Sequence, residues 1–117
     1  CWVCLAAWSE VELGDHQAVS KHPDRTLLLV WPSYSQSWTD EVVELYGGDT
    51  IVYVGEGPHG CTGTDRMHQL LGHADMCWCI GECECPPAPE ALFAEHADIV
   101  IPRWSGLNDR MSIYKRR

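Results

Sequence analysis

Two stretches of this chain are apolar without the alternation that marks a half-buried strand. The first, Thr26-Leu27-Leu28-Leu29-Val30-Trp31, stops at Pro32; the second, Thr50-Ile51-Val52-Tyr53-Val54, stops at Gly55-Glu56-Gly57. Such runs, bounded by turn residues, predict strands covered on both faces, as in a parallel sheet. Between them Trp38, Val42, Leu45 and Tyr46 recur at helical spacing, with Val43 beside them. Ser35, Ser37 or Thr39 can cap this helix, Asp40 and Glu41 suit its positive end, and Gly47-Gly48 terminates it. A strand–helix–strand unit connects right-handedly and sets its strands parallel. Ligands of open α/β sheets bind beyond the carboxyl ends of the strands, here Trp31 to Tyr34 and the loop after Val54.

The rest of the pattern is less regular. Residues 1–8 are apolar, with Trp2 and Trp8, and fit either a strand or a short buried helix. Ala18 to Lys21 suit one helical turn before His22-Pro23-Asp24. Glu56 to Thr64 is a glycine-rich loop, and Thr64 can cap a helix reaching Leu71. Glu90 to Glu95 suits a short helix, Ala97 to Pro102 a third strand and Arg110 to Lys115 a fourth. The turn at Gly106-Leu107-Asn108-Asp109 is too short for a crossover, so the last two strands should be antiparallel neighbours. The expected fold is α/β: a partial Rossmann-like, mostly parallel sheet with a C-terminal antiparallel hairpin, in a single domain over residues 1–117. Because the first residue is Cys1 and few residues precede the first strand, we expect a domain truncated at its N-terminus.

Composition narrows the function classes. An apolar fraction of 45% and six tryptophans argue for a folded core. A net charge of −9 disfavours nucleic-acid backbones as partners. The basic end Lys115-Arg116-Arg117 reads as a solubilising terminus. No run approaches the ~18 apolar residues of a membrane span. There are seven cysteines, and the pairs Cys77/Cys79 and Cys83/Cys85 are too tightly spaced for a secreted disulfide framework, which favours a reducing, cytoplasmic setting. Cys77, Cys79, Cys83 and Cys85 could hold zinc tetrahedrally, with His68 or His73 replacing one thiolate; free thiols or a redox role are the alternatives.

The strand ends carry the remaining candidate chemistry. Trp31, Pro32 and Tyr34 can seal the sheet end, or offer a shelf for a planar or cationic group. Glu56 can bind a hydrogen-bonding substituent or simply build the turn. A Cys61–His59 nucleophile pair lacks a third orienting group. Trp104 and Asp109 either pack the final hairpin or line the same pocket.

Trp31-Pro32-Ser33-Tyr34 resembles the Asp/Asn-Pro-Pro-aromatic turn after the fourth strand of class I S-adenosylmethionine-dependent methyltransferases. A closer similarity is to an uncharacterised methyltransferase-like group with Trp-Pro-Pro-Tyr, Tyr-x-Gly-Glu-Gly, Gly-Cys-Thr and Pro-x-Trp-x-Gly segments. The counterparts here are Trp31 to Tyr34, Tyr53 to Gly57, Gly60-Cys61-Thr62 and Pro102 to Gly106. The resemblance covers Arg25 to the C-terminus. It implies methyl transfer to a small-molecule or protein acceptor, with Trp31, Pro32, Tyr34 and Trp104 binding substrate and Tyr34 and Glu56 as catalytic candidates. The departures are specific: Trp31 replaces Asp or Asn, Ser33 replaces the second proline, and no Gly-x-Gly-x-Gly loop follows an early strand. Asp15 is the remaining candidate for a cofactor-binding acid. Whether the chain is an enzyme therefore stays open, beside a non-catalytic scaffold and a zinc-stabilised binding module.

Overall fold

A computed structural model of the chain describes residues 10–74 and 87–117. A short 3-10 helix, His16–Lys21, leads into β1 (Leu27–Val30); α1 (Trp38–Leu45) then connects to β2 (Thr50–Gly55). After the glycine-rich loop come α2 (Asp65–Leu70), β3 (Phe93–Val100) and β4 (Arg110–Arg116). The four strands form one sheet in the order β1-β2-β4-β3.

The two apolar runs lie side by side and parallel, Leu27 opposite Ile51 through Val30 opposite Val54, so their carboxyl ends share one edge. The other two pairings, β2 with β4 and β4 with β3, are antiparallel. The expectation of a mostly parallel sheet is therefore corrected: this is a mixed α/β sheet, mainly antiparallel. Among the described residues there is a single strand–helix–strand crossover, and β4 turns back to occupy the position beside β2.

Three local expectations also change. The segment expected to be helical at Glu90–Glu95 instead opens β3 at Phe93, whose ring is fully buried. A register shift between Glu95 and Ala97 interrupts the period-two pattern. Leu45, placed on the buried stripe of α1 by its spacing, is exposed; Val42, Val43 and Tyr46 carry that stripe. The basic end is part of the sheet. Arg116 stacks 4.5 Å from the Phe93 ring centroid and donates to Gly48 O at 2.7 Å, and Lys115 donates to Thr50 Oγ1 at 2.6 Å.

One sheet face is the core. Leu29, Ile51, Tyr53 and Tyr114 pack there in one cluster with Val42, Val43 and Tyr46 and with Met67, Leu70 and Leu71. The opposite face carries two apolar rows in register: Leu28–Val52–Ile113–Ala97 and Val30–Val54–Met111–Ile99. Its central side chains are only half-buried, and Leu28, Val30 and Ile99 are exposed.

Candidate functional site

Three loops converge where β1 and β2 end. Trp31 N–H donates to Val54 O at 2.8 Å, which continues the β1–β2 pairing one residue past the strand. Pro32 O accepts from Gly63 N–H at 2.8 Å, and Ser33 forms an isolated bridge with Thr62. The aromatic turn after β1 is thus zipped to the glycine-rich loop after β2. The β3–β4 connection joins from the other side, where Asn108 N–H donates to Glu56 Oε1 at 3.0 Å.

Glu56 is the hub. Its Oε2 accepts from Cys61 N–H at 2.8 Å and from the Cys61 thiol at 2.9 Å. The Cys61 thiol contact, then the backbone donors of Cys61 and Asn108, hold the Glu56 carboxyl below the usual carboxylate range. The same contact pushes the Cys61 thiol up, because ionisation would cost the hydrogen bond and set two anions together. An exposed thiol kept protonated in this way is a weak nucleophile.

Beneath the loop, Thr62 Oγ1 accepts from Glu56 N–H at 2.8 Å and lies 2.5 Å from the Tyr53 hydroxyl. Burial drives the Tyr53 phenol up to about 12. Thr62 O accepts from His68 Nε2–H at 2.9 Å, a bond that fixes the tautomer, since a carbonyl can only accept. The His68 ring meets Tyr53 and His73 edge-on, and His73 Nε2 pairs with the Tyr114 hydroxyl at 2.9 Å. Among the described residues, His68 Nδ1 and Asp109 Oδ1 are buried without a partner.

Of the four residues expected to bind substrate, three lie at the surface. Trp31, Tyr34 and Trp104 are 44%, 65% and 79% exposed, while Pro32 is buried. The nearby pocket of about 430 Å³ is lined by Glu56, Pro58, His59, Cys61 and Asn108 with two glycines, and by none of those aromatics. The structure thus bonds the β1 turn to Thr62 and Gly63 rather than to Glu56, whose Oε2 is taken by Cys61 and whose Oε1 by Asn108.

Asp15 stands elsewhere. It caps the 3-10 helix, accepting from Gln17 N–H at 2.9 Å. It borders a separate pocket of about 370 Å³ with Val19, Arg25, Leu27 and Tyr46, near the amino end of β1. Cys77, Cys79, Cys83 and Cys85 lie outside the described residues. Among the described residues no group of three or more His, Cys, Asp or Glu is placed to hold a metal, and no helix is long and apolar enough to cross a membrane.

Sequence reasoning missed Thr62 and His68 as the buried supports of this loop. The only signal for Thr62 was its place in the Gly60-Cys61-Thr62 segment, and nothing in the sequence marked His68 as buried.

Fold and site together define a mixed α/β domain with a hydrogen-bonded loop cluster at the ends of two parallel strands. No protein-family model, curated protein or solved structure matches the chain.

Proposed function

We propose that this chain carries the acceptor side of a methyltransferase-like, partial Rossmann-like domain. In this reading the exposed rings of Trp31, Tyr34 and Trp104 receive a small or planar acceptor. The single observation that carries it is the shared edge of β1 and β2, where the Trp31-Pro32-Ser33-Tyr34 turn is bonded to the Gly60-Cys61-Thr62 loop. That is the juxtaposition the resemblance requires of segments distant in sequence.

The residues described do not fit the donor, S-adenosylmethionine. Gly48 is closed against the Tyr46 side chain and Gly47 lies beside Pro23, where a nucleotide-binding loop would need open backbone. Asp15 spends its carboxylate on a helix cap at some remove from the strand ends. No donor-binding step is therefore assigned to these residues. What they supply is orientation of an acceptor against aromatic faces, and positioning can account for much of the rate in a direct transfer.

The reading is tested by titrating the folded, intact chain with S-adenosylmethionine and with a panel of planar amines and phenols. Nuclear magnetic resonance of the indole N–H groups provides the readout. Saturable shifts at Trp31 and Trp104, lost in Trp31→Ala, are expected from a planar acceptor and none from S-adenosylmethionine alone. A folded sample whose indoles respond to none of these compounds rejects it. One observation favours a second reading, a non-catalytic interaction module: both Glu56 oxygens are taken by structural donors, Oε2 by Cys61 and Oε1 by Asn108.

A further inference from the structure

β3 would send Glu95 and Asp98 to opposite faces of the sheet if its alternation ran unbroken. The bulge between Glu95 and Ala97 changes that parity: Glu95 stands opposite Tyr114, and Asp98 opposite Ser112. Directly opposed residues share a face, so both carboxylates join Arg110, Ser112 and Tyr114 on the face that carries the core. A bulge is a common means of re-aiming a side chain beside a site. Here the two acids and Arg110 border a cavity of about 220 Å³, walled also by Tyr53, Pro58, His73 and Tyr114. None of Trp31, Tyr34 and Trp104 lines it, so it is separate from the strand-end edge.

The charges around this cavity do not cancel. Arg110 Nε donates to Asp98 Oδ1, which neutralises one acid. The Glu95 carboxylate makes no hydrogen bond or ion pair with any described residue. His73 Nε2 pairs with the Tyr114 hydroxyl at 2.9 Å, and desolvation, against the pull of Glu95, keeps its ring neutral at pH 7. One negative charge is thus left beside two phenol rings and a proline, and the chain's net charge of −9 draws cations toward it. We propose that this cavity binds a small organic cation, a primary ammonium on a short apolar stem, with Glu95 as its counter-ion and Tyr53, Pro58 and Tyr114 around the stem. The size limits the guest, since drug-sized ligands fill pockets from ~300 Å³ upward. An anion would meet the Glu95 charge with Arg110 already engaged.

The test is a titration of the intact chain with n-butylammonium chloride, followed by its backbone amide and tyrosine ring resonances. Sodium butyrate serves as the anion of matching shape. Saturable shifts are expected around Glu95, Asp98, Ser112 and Tyr114 with the cation and not with butyrate. Glu95→Gln, a change at an exposed side chain, should weaken binding of the cation about fivefold, the worth of a half-exposed charge pair. Shifts no different from those of sodium chloride, or butyrate binding as tight as that of the ammonium, overturn the proposal. So does equal affinity in the parent and a folded Glu95→Gln chain, and so do shifts confined to the indoles of Trp31 and Trp104. No outcome depends on whether the strand ends accept a methyl group.

Discussion

Trp31 sits in the left-handed region, φ 48°, although it bears a bulky side chain and precedes a proline. Both features disfavour that conformation, and an L-residue gives up about 1–2 kcal/mol to hold it. Its retention is explained by the bonds on either side, Trp31 N–H to Val54 O and Gly63 N–H to Pro32 O. Comparing Trp31→Gly with Trp31→Ala separates backbone from ring, since both remove the indole. Urea denaturation should find the glycine variant more stable than the alanine variant by about 1 kcal/mol; equal stabilities would show that the turn stores no strain. A second residue-scale prediction concerns Cys61. Replacing Glu56 by Gln removes the charge that keeps the thiol protonated. Alkylation of the Cys61 peptide near pH 8, followed by mass spectrometry, should be several-fold faster in Glu56→Gln than in the parent. An unchanged rate would mean that Glu56 does not govern the thiol.

At the scale of elements, β1, α1, β2 and the cap of α2 were legible because hydrophobic runs and turn residues agree locally. The capping expected of α1 is not formed: its N-cap Ser37 makes no side-chain capping bond and Thr39 lies within the helix. Thr64 does cap α2, accepting from Met67 N–H at 3.1 Å. The start of β3 was not legible: Glu90 shortly before Phe93 imitates the acidic first turn of a helix, and the irregularity at Glu95/Ala97 hides the alternation. Sheet composition was misjudged for a different reason, since β4 pairs with a strand some sixty residues earlier, a choice no local pattern encodes. The aromatic turn was visible as a motif; its bonding to Thr62 and Gly63 depends on β1 and β2 being neighbours. The end of β2 can be probed directly. A methyl group at Gly55 would meet Thr62 Oγ1 at 2.6 Å and the Tyr53 hydroxyl at 2.9 Å. Gly55→Ala should therefore destabilise the protein by roughly 1–3 kcal/mol, the usual cost of overpacking, with a lowered midpoint in urea. A neutral outcome would show that the Tyr53–Thr62–Glu56 cluster is loosely packed.

For the whole molecule, one buried histidine, His68, and one half-buried, His73, set the response to acid. Burial first of all lowers His68, which is reinforced by neighbouring His73, and burial lowers His73 against the opposing pull of Glu95. In the unfolded chain both bind protons at their ordinary value near 6.5. Below that pH the unfolded state carries more protons, so stability is complete above about 6.5 and falls as pH drops through it. The slope is at most about 1.4 kcal/mol per pH unit for each proton. Glu56, whose folded value is depressed, adds a separate loss at lower pH, when its carboxylate is finally protonated. Urea midpoints from pH 7.5 to 5 should show the first fall, made shallower by His68→Gln; a flat profile would contradict the lowering of both rings by desolvation.

The central claim is that the joined ends of β1 and β2 form a binding edge. It is tested most directly by the indole and amide spectrum of the intact chain during titration with planar amines and phenols as acceptors. The account predicts saturable shifts confined to Trp31, Trp104 and the loop from Glu56 to Thr62. Shifts confined to the pocket around Asp15, or none in a folded sample, would contradict it.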